Sequence, residues 1–133
     1  MTLIFCLDEM HGISFGGRRQ SRDRELNADI LKNAEGKRLC MSEYSAKLFV
    51  GENISLKSSP STAKDEVYFL ELRDPTEYIG LAECVIVYHW NRHYPSDVVF
   101  RGNLGELGFT LAESCDIRGF SHEKITKETY VRL

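Results

Sequence analysis

The sequence predicts a single α/β domain of three layers, with a mixed, mainly parallel sheet that ends in an antiparallel hairpin. Strand-like and helix-like segments alternate through the first two thirds of the chain, which is typical of parallel strands joined by helices. The last third holds only strand-like segments, and the final one alternates in polarity, which is typical of antiparallel strands. A length of 133 residues suits one domain with a substantial core, so residues 1–133 are assigned to it.

The first part of the chain predicts a strand, a loop and a helix. Residues 2–7 form an apolar run that indicates a short buried strand, and the glycine-rich segment 12–20 indicates a loop. Ser21 is a preferred N-cap, so we expect a helix that begins there, runs to about Ala34 and stops at Gly36. Two acidic residues in its first turn suit the positive end of the helix dipole.

Two shorter helices and the remaining strands follow. Ser42 caps a helix through Phe49, and Asp74, followed by a proline and then an acidic residue, opens another. Segment 51–65 is rich in Ser, Lys and Pro and predicts a mobile loop. Further strands are predicted at 38–41, 67–72, 84–88, 98–100, 108–116 and 125–133, with 84–88 central in the sheet.

Composition limits the classes of function. The formal net charge is −3, so bulk electrostatics do not favour a nucleic-acid binder. The apolar start is too short for a signal peptide or membrane span and meets acidic residues at once, so we expect a cytoplasmic protein with no membrane partner. The cysteines show no CxxC spacing, so we expect reduced core thiols and no structural metal. They are Cys6, Cys40, Cys84 and Cys115.

Arginine concentrates between residues 18 and 24, directly after two glycines. Four arginines accompany one aspartate at a predicted helix start, where each positive charge is unfavourable by about 0.3–1 kcal/mol. This placement favours a bound phosphate or carboxylate, which the glycine backbone can approach closely. The alternative is a solvated helix start whose arginines pair with the protein's own carboxylates. The residues assigned to the anion site are Gly17, Arg18, Arg19, Ser21, Arg22 and Asp23.

A second polar cluster near the C-terminus offers acid–base chemistry. His122 and Glu123 are candidate catalytic groups, and Lys124 is a neighbouring cation. A metal-independent ribonuclease needs a base, an acid and cations that stabilise the charged transition state. The alternative is a polar hairpin turn without chemistry.

Two further segments carry candidate ligand-binding groups. Residues 88–94 interleave aromatic rings with cations, which suits base stacking with Arg92 near a phosphate, or else places a tryptophan in the core. At the second helix start, Tyr44 and Lys47 accompany a possible anion cradle, for which ordinary capping is the alternative. No phosphate-loop, nucleophile-elbow, zinc-protease or dinucleotide-binding motif occurs.

The order of these elements resembles the dihydrofolate reductase family over most of the chain. Residues 37–42 (KRLCMS) match a strand that leads into a capped helix, and residues 84–90 (CVIVYHW) match a strand that ends near a histidine. The tail from 97 to 132 matches the closing strands in length and rhythm. The resemblance implies that fold, NADPH as cofactor, and Asp23 or Glu25 as substrate carboxylate and proton relay.

The same resemblance has consequences for placement. It implies that the last hairpin loop approaches the first loop, which would bring His122 and Glu123 near Arg18 and Arg19. The family meets its cofactor phosphates with a glycine run and a basic residue. In this chain the first place reads LELRDP, residues 70–75, without glycine, and the second holds Glu43.

Three phrases resemble a group of short bacterial proteins that carry the label ribonuclease Z. They are RRQSRD at 18–23, YSAKLF at 44–49 and SHEKITKE at 121–128. The genuine enzyme binds zinc through a His-x-His-x-Asp-His cluster, and the four histidines here lack that spacing. A two-zinc hydrolase is therefore not expected.

The leading function hypothesis is a small protein that binds a phosphate-bearing ligand, a nucleotide or short RNA, without a cofactor. If it turns over, we expect metal-independent phosphodiester cleavage with His122 as acid–base group. The first alternative is an NADPH-dependent reductase of the dihydrofolate reductase type, and the second is a non-catalytic protein-interaction module. The sequence leaves the ligand, turnover and oligomeric state open.

Overall fold

The computed structural model describes residues 1–133 and contains two sheets. The strands of the main sheet are β1 (Thr2–Leu7), β4 (Arg38–Met41), β5 (Ser55–Leu56), β6 (Glu66–Phe69), β7 (Cys84–His89), β9 (Phe109–Ile117) and β10 (Ile125–Arg132). Their order is β5-β4-β6-β1-β7-β10-β9. The small sheet joins β2 (Gly12–Phe15) to β3 (Arg18–Arg19) and β8 (Val98–Val99).

The main sheet is mixed, as predicted. Strands β5, β4, β6, β1 and β7 are parallel to their neighbours, and β10 pairs antiparallel with both β7 and β9. Strand β1 lies at the centre, with β7 next to it, so the predicted central position of residues 84–88 is off by one strand. Alternate residues of β1 enter two separate cores, because successive side chains of a strand point to opposite faces.

Helices cover one face of the sheet. Helix α1 (Arg24–Asn33) buries Leu26 and Ile30 against that face, and helix α2 (Glu43–Ala46) continues into a 3-10 helix, Lys47–Phe49. The other face is covered by a 3-10 helix, Pro75–Leu81, and by the small sheet. Ser42 and Asp74 cap their helices as predicted, each through a side-chain oxygen that accepts a backbone N–H.

The chain segments that follow β1 and β6 pack on opposite faces of the sheet. The chain passes from β1 to α1 on one face, and from β6 to the 3-10 helix on the other face. These two strands are adjacent and parallel, so a crevice opens at their carboxyl ends. Open α/β sheets bind their ligands at such a point.

The helix α1 begins two residues later than the sequence predicts. Its N-cap is Asp23, whose side chain accepts the Glu25 N–H, and Ser21 lies outside the helix. Arg18 and Arg19 belong to β3, opposite β2. The argument that four arginines crowd a helix start is therefore wrong, because only Arg24 lies in the first turn.

The segment 12–20 forms a hairpin rather than a loop. Phe15 pairs with Arg18 across a tight turn of Gly16 and Gly17, whose φ angles are +59° and +73°. Two-residue hairpin turns need positive φ at both central positions, which glycine adopts without steric cost. The two glycines therefore make the turn that pairs β2 with β3.

Segment 51–65, predicted as a mobile loop, contains β5 and donates hydrogen bonds to a buried carboxylate at the start of β6. The Glu66 carboxylate is fully buried and accepts from Lys57 Nζ at 2.5 Å, Ser61 N at 2.8 Å and Ser61 Oγ at 2.9 Å. These contacts lower the pKa of Glu66 against the opposing effect of burial. Lys57 and Ser61 are thus tied to the first residue of β6, and the mobility of the segment stays a prediction.

The four cysteines are free, but they are not all in the core. Cys40 is buried and Cys6 and Cys84 are half-buried, whereas Cys115 is exposed on β9. Strand β9 lies at the sheet edge with most of its side chains in solvent, which the sequence pattern did not reveal. None of the helices has the length and apolar character needed to cross a membrane.

The hairpin turn yields a stability prediction. Gly17→Ala places a side chain at φ +73° and is expected to lower the free energy of unfolding by about 1–2 kcal/mol, measured by urea denaturation. Gly80→Ala is the matched control, because Gly80 has no positive φ and no atom within 4 Å of an added Cβ. It should change stability by less than about 0.5 kcal/mol. Equal losses in both variants would contradict the turn assignment.

Candidate functional site

A narrow cleft lies where the carboxyl ends of β1 and β6 meet the hairpin of the small sheet. Its floor is apolar and its rim is polar. The lining residues are Cys6, Ile13, Arg19, Gln20, Ser21, Leu70, Glu71 and Trp90. This position coincides with the crevice that the strand connections create, so it is the candidate functional site.

Arg19 and Glu71 close one side of the cleft. The guanidinium donates to both carboxylate oxygens, Nε to Oε2 at 2.9 Å and Nη2 to Oε1 at 3.0 Å. Its carbon lies 4.3 Å from the ring centroid of Tyr44, whose hydroxyl accepts the Arg19 backbone N–H at 3.0 Å. Such a two-point pair holds a fixed geometry. The anion that Arg19 meets is therefore the protein's own carboxylate.

Asp23 organises the opposite side. Its carboxylate caps α1 and also accepts the backbone N–H groups of Phe120 and Ser121, each at 2.9 Å, and that of His122 at 3.2 Å. Glycine is required at position 119 of the loop that surrounds this carboxylate, because a Cβ there would lie 2.7 Å from Asp23 Oδ2. The loop after β9 is thereby fastened to the start of α1.

His122 completes this network from inside the protein. Its Nδ1 lies 2.9 Å from Asp23 Oδ2, and its Nε2 lies 3.1 Å from Ser21 Oγ and 3.0 Å from Tyr94 Oη. The imidazole is 4% exposed and stacks on Trp90 with ring centroids 4.7 Å apart. The ring is held on both nitrogens and on one face, so its orientation is fixed.

The charge state of Asp23 follows from its partners. Burial alone would raise the pKa of Asp23, but the Phe120 N–H, the His122 ring and the Ser121 N–H lower it well below its usual 3.8. Asp23 therefore carries no proton near neutral pH. This disfavours Asp23 as the proton relay that the family resemblance implied.

Gln20 leaves one buried polar atom without a partner. Its Nε2 donates to Asp8 Oδ2 at 3.1 Å and to the Pro95 carbonyl at 3.2 Å, and both partners are acceptors, so the amide cannot be reversed. Its Oε1 is buried and accepts no hydrogen bond. An unpaired buried acceptor is costly, by about 1–3 kcal/mol, and a ligand N–H would relieve that cost.

The last hairpin loop does approach the first loop, although not through the expected arginines. Ser21 and Asp23 make the contacts to His122, and Ser121 Oγ donates to the Arg22 carbonyl at 3.4 Å. Arg18 is exposed and takes no part in this contact.

The remaining candidate residues lie outside the cleft. Arg92 donates to the Ser121 carbonyl at 3.2 Å, and the Lys124 carbonyl accepts from Asn91. The other members are exposed or turn-forming and make no side-chain hydrogen bond. They are Gly17, Arg22, Lys47 and Glu123.

Sequence reasoning missed several residues of the cleft. Glu71 and Tyr94 are distant from the arginines in the chain, and only strand packing brings Glu71 to Arg19. Gln20 lies within the arginine-rich segment 18–24, but it is uncharged and was therefore not selected as a candidate site residue. Trp90 was noted for stacking or core closure, and it stacks on His122. No group of three or more His, Cys, Asp or Glu side chains that could hold a metal ion occurs.

Comparison with known proteins bears on the fold. No family model and no curated protein matches the chain, so the resemblance to the proteins labelled ribonuclease Z gains no support. Among solved structures, the chain is similar to dihydrofolate reductase from Enterococcus faecalis in complex with NADP(H) and RAB-propyl. The TM-score is 0.64 at 13% sequence identity, over 98% of this chain and 95% of that chain. The predicted reductase-like fold is confirmed.

The same comparison corrects the leading function hypothesis. A structural neighbour that holds NADP(H) favours the reductase alternative over a nucleotide-binding or RNA-binding ribonuclease. The physical reason lies in the arginines, which do not converge on one phosphate. Arg19 is neutralised by Glu71, and Arg18 is exposed on a hairpin away from His122.

The Asp23 cluster yields a prediction of acid stability. Because the folded-state pKa of Asp23 lies below its unfolded value, the stabilisation is present above about pH 4 and is lost as the pH falls further. The wild-type free energy of unfolding should therefore fall more steeply below pH 4 than that of Asp23→Asn, by up to about 1.4 kcal/mol per pH unit. Urea denaturation between pH 2 and 6 measures both slopes.

Asp74→Asn is the control for this experiment, because Asp74 caps a helix without an imidazole partner. Its slope should stay steeper than that of Asp23→Asn. Parallel slopes for wild type and Asp23→Asn would contradict the assignment.

Proposed function

We propose that the protein is an NADPH-dependent reductase of the dihydrofolate reductase type. The observation that carries the proposal is the cleft at the carboxyl ends of β1 and β6, in a chain whose fold matches that of a dihydrofolate reductase over nearly its full length. Fold similarity at 13% identity does not by itself assign activity, so the residues of the cleft have to suit the cofactor.

The floor of the cleft is apolar, but the cleft encloses about 10 Å³, which is room for about one water molecule, so a nicotinamide ring would have to lie at its mouth. Ile13, Leu70 and Trp90 are buried apolar surfaces. Burial, and next the charge of Glu71, raises the pKa of the Cys6 thiol well above its ordinary value, so the thiol stays neutral.

The unpaired Oε1 of Gln20 is a hydrogen-bond acceptor available to the carboxamide of the cofactor. A carboxamide NH₂ group is a donor without competing charge, and it would supply the hydrogen bond that Gln20 Oε1 lacks. The cofactor supplies a hydride when bound, and the chain must orient the ring and deliver the accompanying proton. Asp23 is ionised, so proton delivery falls to His122, which reaches the cleft through the Ser21 hydroxyl.

The phosphate groups of NADPH would be bound by residues other than those of the dihydrofolate reductase pattern. The chain lacks the glycine run there and has Glu43 in place of a basic residue. A shallow depression beside the end of β6 is lined by Leu72, Arg73, Asp74, Thr76, Glu77 and Val98. Arg73 is exposed there and is its one cation, braced by the Tyr78 hydroxyl at 2.6 Å and by the Ser58 carbonyl. Asp74 and Glu77 also line the depression, so favourable charge for a diphosphate would come from Arg73 alone and would be opposed by two carboxylates.

Thermal melting with NADPH tests the binding step. NADPH at a hundred times its Kd should add about 2.7 kcal/mol and raise Tm by roughly 5–10 °C. Arg73→Ala should weaken NADPH binding about tenfold, because a charge-assisted contact to phosphate is lost. Arg38→Ala is the matched control, since Arg38 begins β4 and so lies at the opposite edge of the sheet.

Turnover is tested by NADPH oxidation at 340 nm with dihydrofolate as acceptor. Oxidation that depends on the acceptor would support the reductase assignment. The absence of both a thermal shift and any oxidation would overturn it.

A further inference from the structure

We propose that the cleft carries a second, cofactor-independent activity: hydrolysis of small carboxylic esters by acyl transfer to Ser21. In this reaction His122 is the catalytic base and Asp23 is the positioning residue. The proposal rests on the Ser21–His122–Asp23 arrangement alone and does not require NADPH.

The three side chains lie in the order that nucleophilic catalysis needs. Ser21 Oγ is 3.1 Å from His122 Nε2, and His122 Nδ1 is 2.9 Å from Asp23 Oδ2. Nucleophile, base and orienting carboxylate are each within hydrogen-bond reach of the next. No local sequence motif predicts this arrangement of three side chains, because Ser21 and His122 are 101 residues apart.

The carboxylate fixes the tautomer of the base. Asp23 is ionised and can only accept, so the proton of the neutral imidazole resides on Nδ1. Nε2 then carries one lone pair, which can accept from the Ser21 hydroxyl at 3.1 Å or from the Tyr94 hydroxyl at 3.0 Å. Stacking on Trp90 prevents the ring from turning away. The imidazole is therefore set to accept a proton from Ser21.

The nucleophile is accessible and has donors beside it. Ser21 is half-buried and lines the cleft, in contrast to the buried His122 and Asp23. The backbone N–H groups of Ser21 and Arg22 donate to no acceptor within the protein. They precede the positive end of α1, so they can stabilise an oxyanion that forms next to Oγ. Tyr94 Oη, 3.4 Å from Oγ, is a further donor.

The reaction balances without any added reagent except water. Oγ forms a bond to the ester carbonyl carbon while its proton passes to His122 Nε2. The carbon–oxygen bond to the leaving alcohol then breaks, and the alcohol takes that proton. Water, deprotonated by Nε2, attacks the acyl-Ser21 ester, releases the carboxylic acid and restores the Ser21 hydroxyl.

Covalent labelling of the intact protein tests the proposal. A fluorophosphonate probe should form one adduct with loss of fluoride, and peptide mapping by mass spectrometry should place it on Ser21. p-Nitrophenyl acetate should give a burst of about one nitrophenolate per chain. Ser21→Ala should abolish adduct and burst, and Ser59→Ala should keep both, because the Ser59 side chain is exposed and makes no hydrogen bond.

The role of His122 is tested by rate and by pH. His122→Gln should slow labelling by at least about 100-fold while the melting curve confirms a folded protein. If that variant does not fold, the pH profile of wild-type labelling decides. A labelling rate that levels off between pH 5 and 9 supports a base within the protein, whereas a rate proportional to hydroxide over that whole range overturns it.

Two results would overturn the second activity outright: no adduct on Ser21, or an adduct whose rate is unchanged in a folded His122→Gln variant. Labelling is measured without NADPH, and the NADPH shift is measured without probe. A failure of either proposal therefore leaves the result of the other distinguishable.

Discussion

The carboxylate of Asp23 is the contact on which the arrangement of the cleft depends. It accepts six hydrogen bonds, one from the first turn of α1 and five from the loop that follows β9. A buried carboxylate without donors would be very unfavourable, and one with this many donors is stably ionised. The interaction joins segments almost a hundred residues apart and at the same time orients His122. The helix start, the closing loop and the imidazole are therefore positioned by a single group.

Charge is compensated inside the protein at two other places. Arg19 pairs with Glu71, and Lys57 pairs with Glu66, each with a carboxylate that is nearly or fully buried. Such pairs define the geometry of their surroundings more than they stabilise the fold, because desolvation offsets most of the Coulomb attraction. Arg19 is consequently not available to an external anion, whereas Arg18, Arg22 and Arg24 are exposed.

The fold of this protein and the residues at its cleft give different indications of function. Its fold is similar to that of a dihydrofolate reductase over 98% of the chain, and the crevice lies where the strand connections of the sheet create one. The side chains at the phosphate end do not follow the reductase pattern, since Glu43 and a segment without glycine occupy those places. Function therefore has to be argued from the residues of the cleft, where Gln20 offers an unpaired acceptor and Ser21 faces a fixed imidazole.

The sequence by itself determined the fold class, because hydrophobic periodicity and capping are local properties. The strands of the main sheet other than β5, and the caps Ser42 and Asp74, were predictable, and the order of elements was enough to indicate the reductase-like layout. Tertiary structure decided the rest. Only the folded chain shows that Asp23 rather than Ser21 caps α1, that Arg19 meets Glu71, and that His122 reaches Ser21. These contacts join residues far apart in the chain, and no local pattern of charge or polarity specifies which partner each will find.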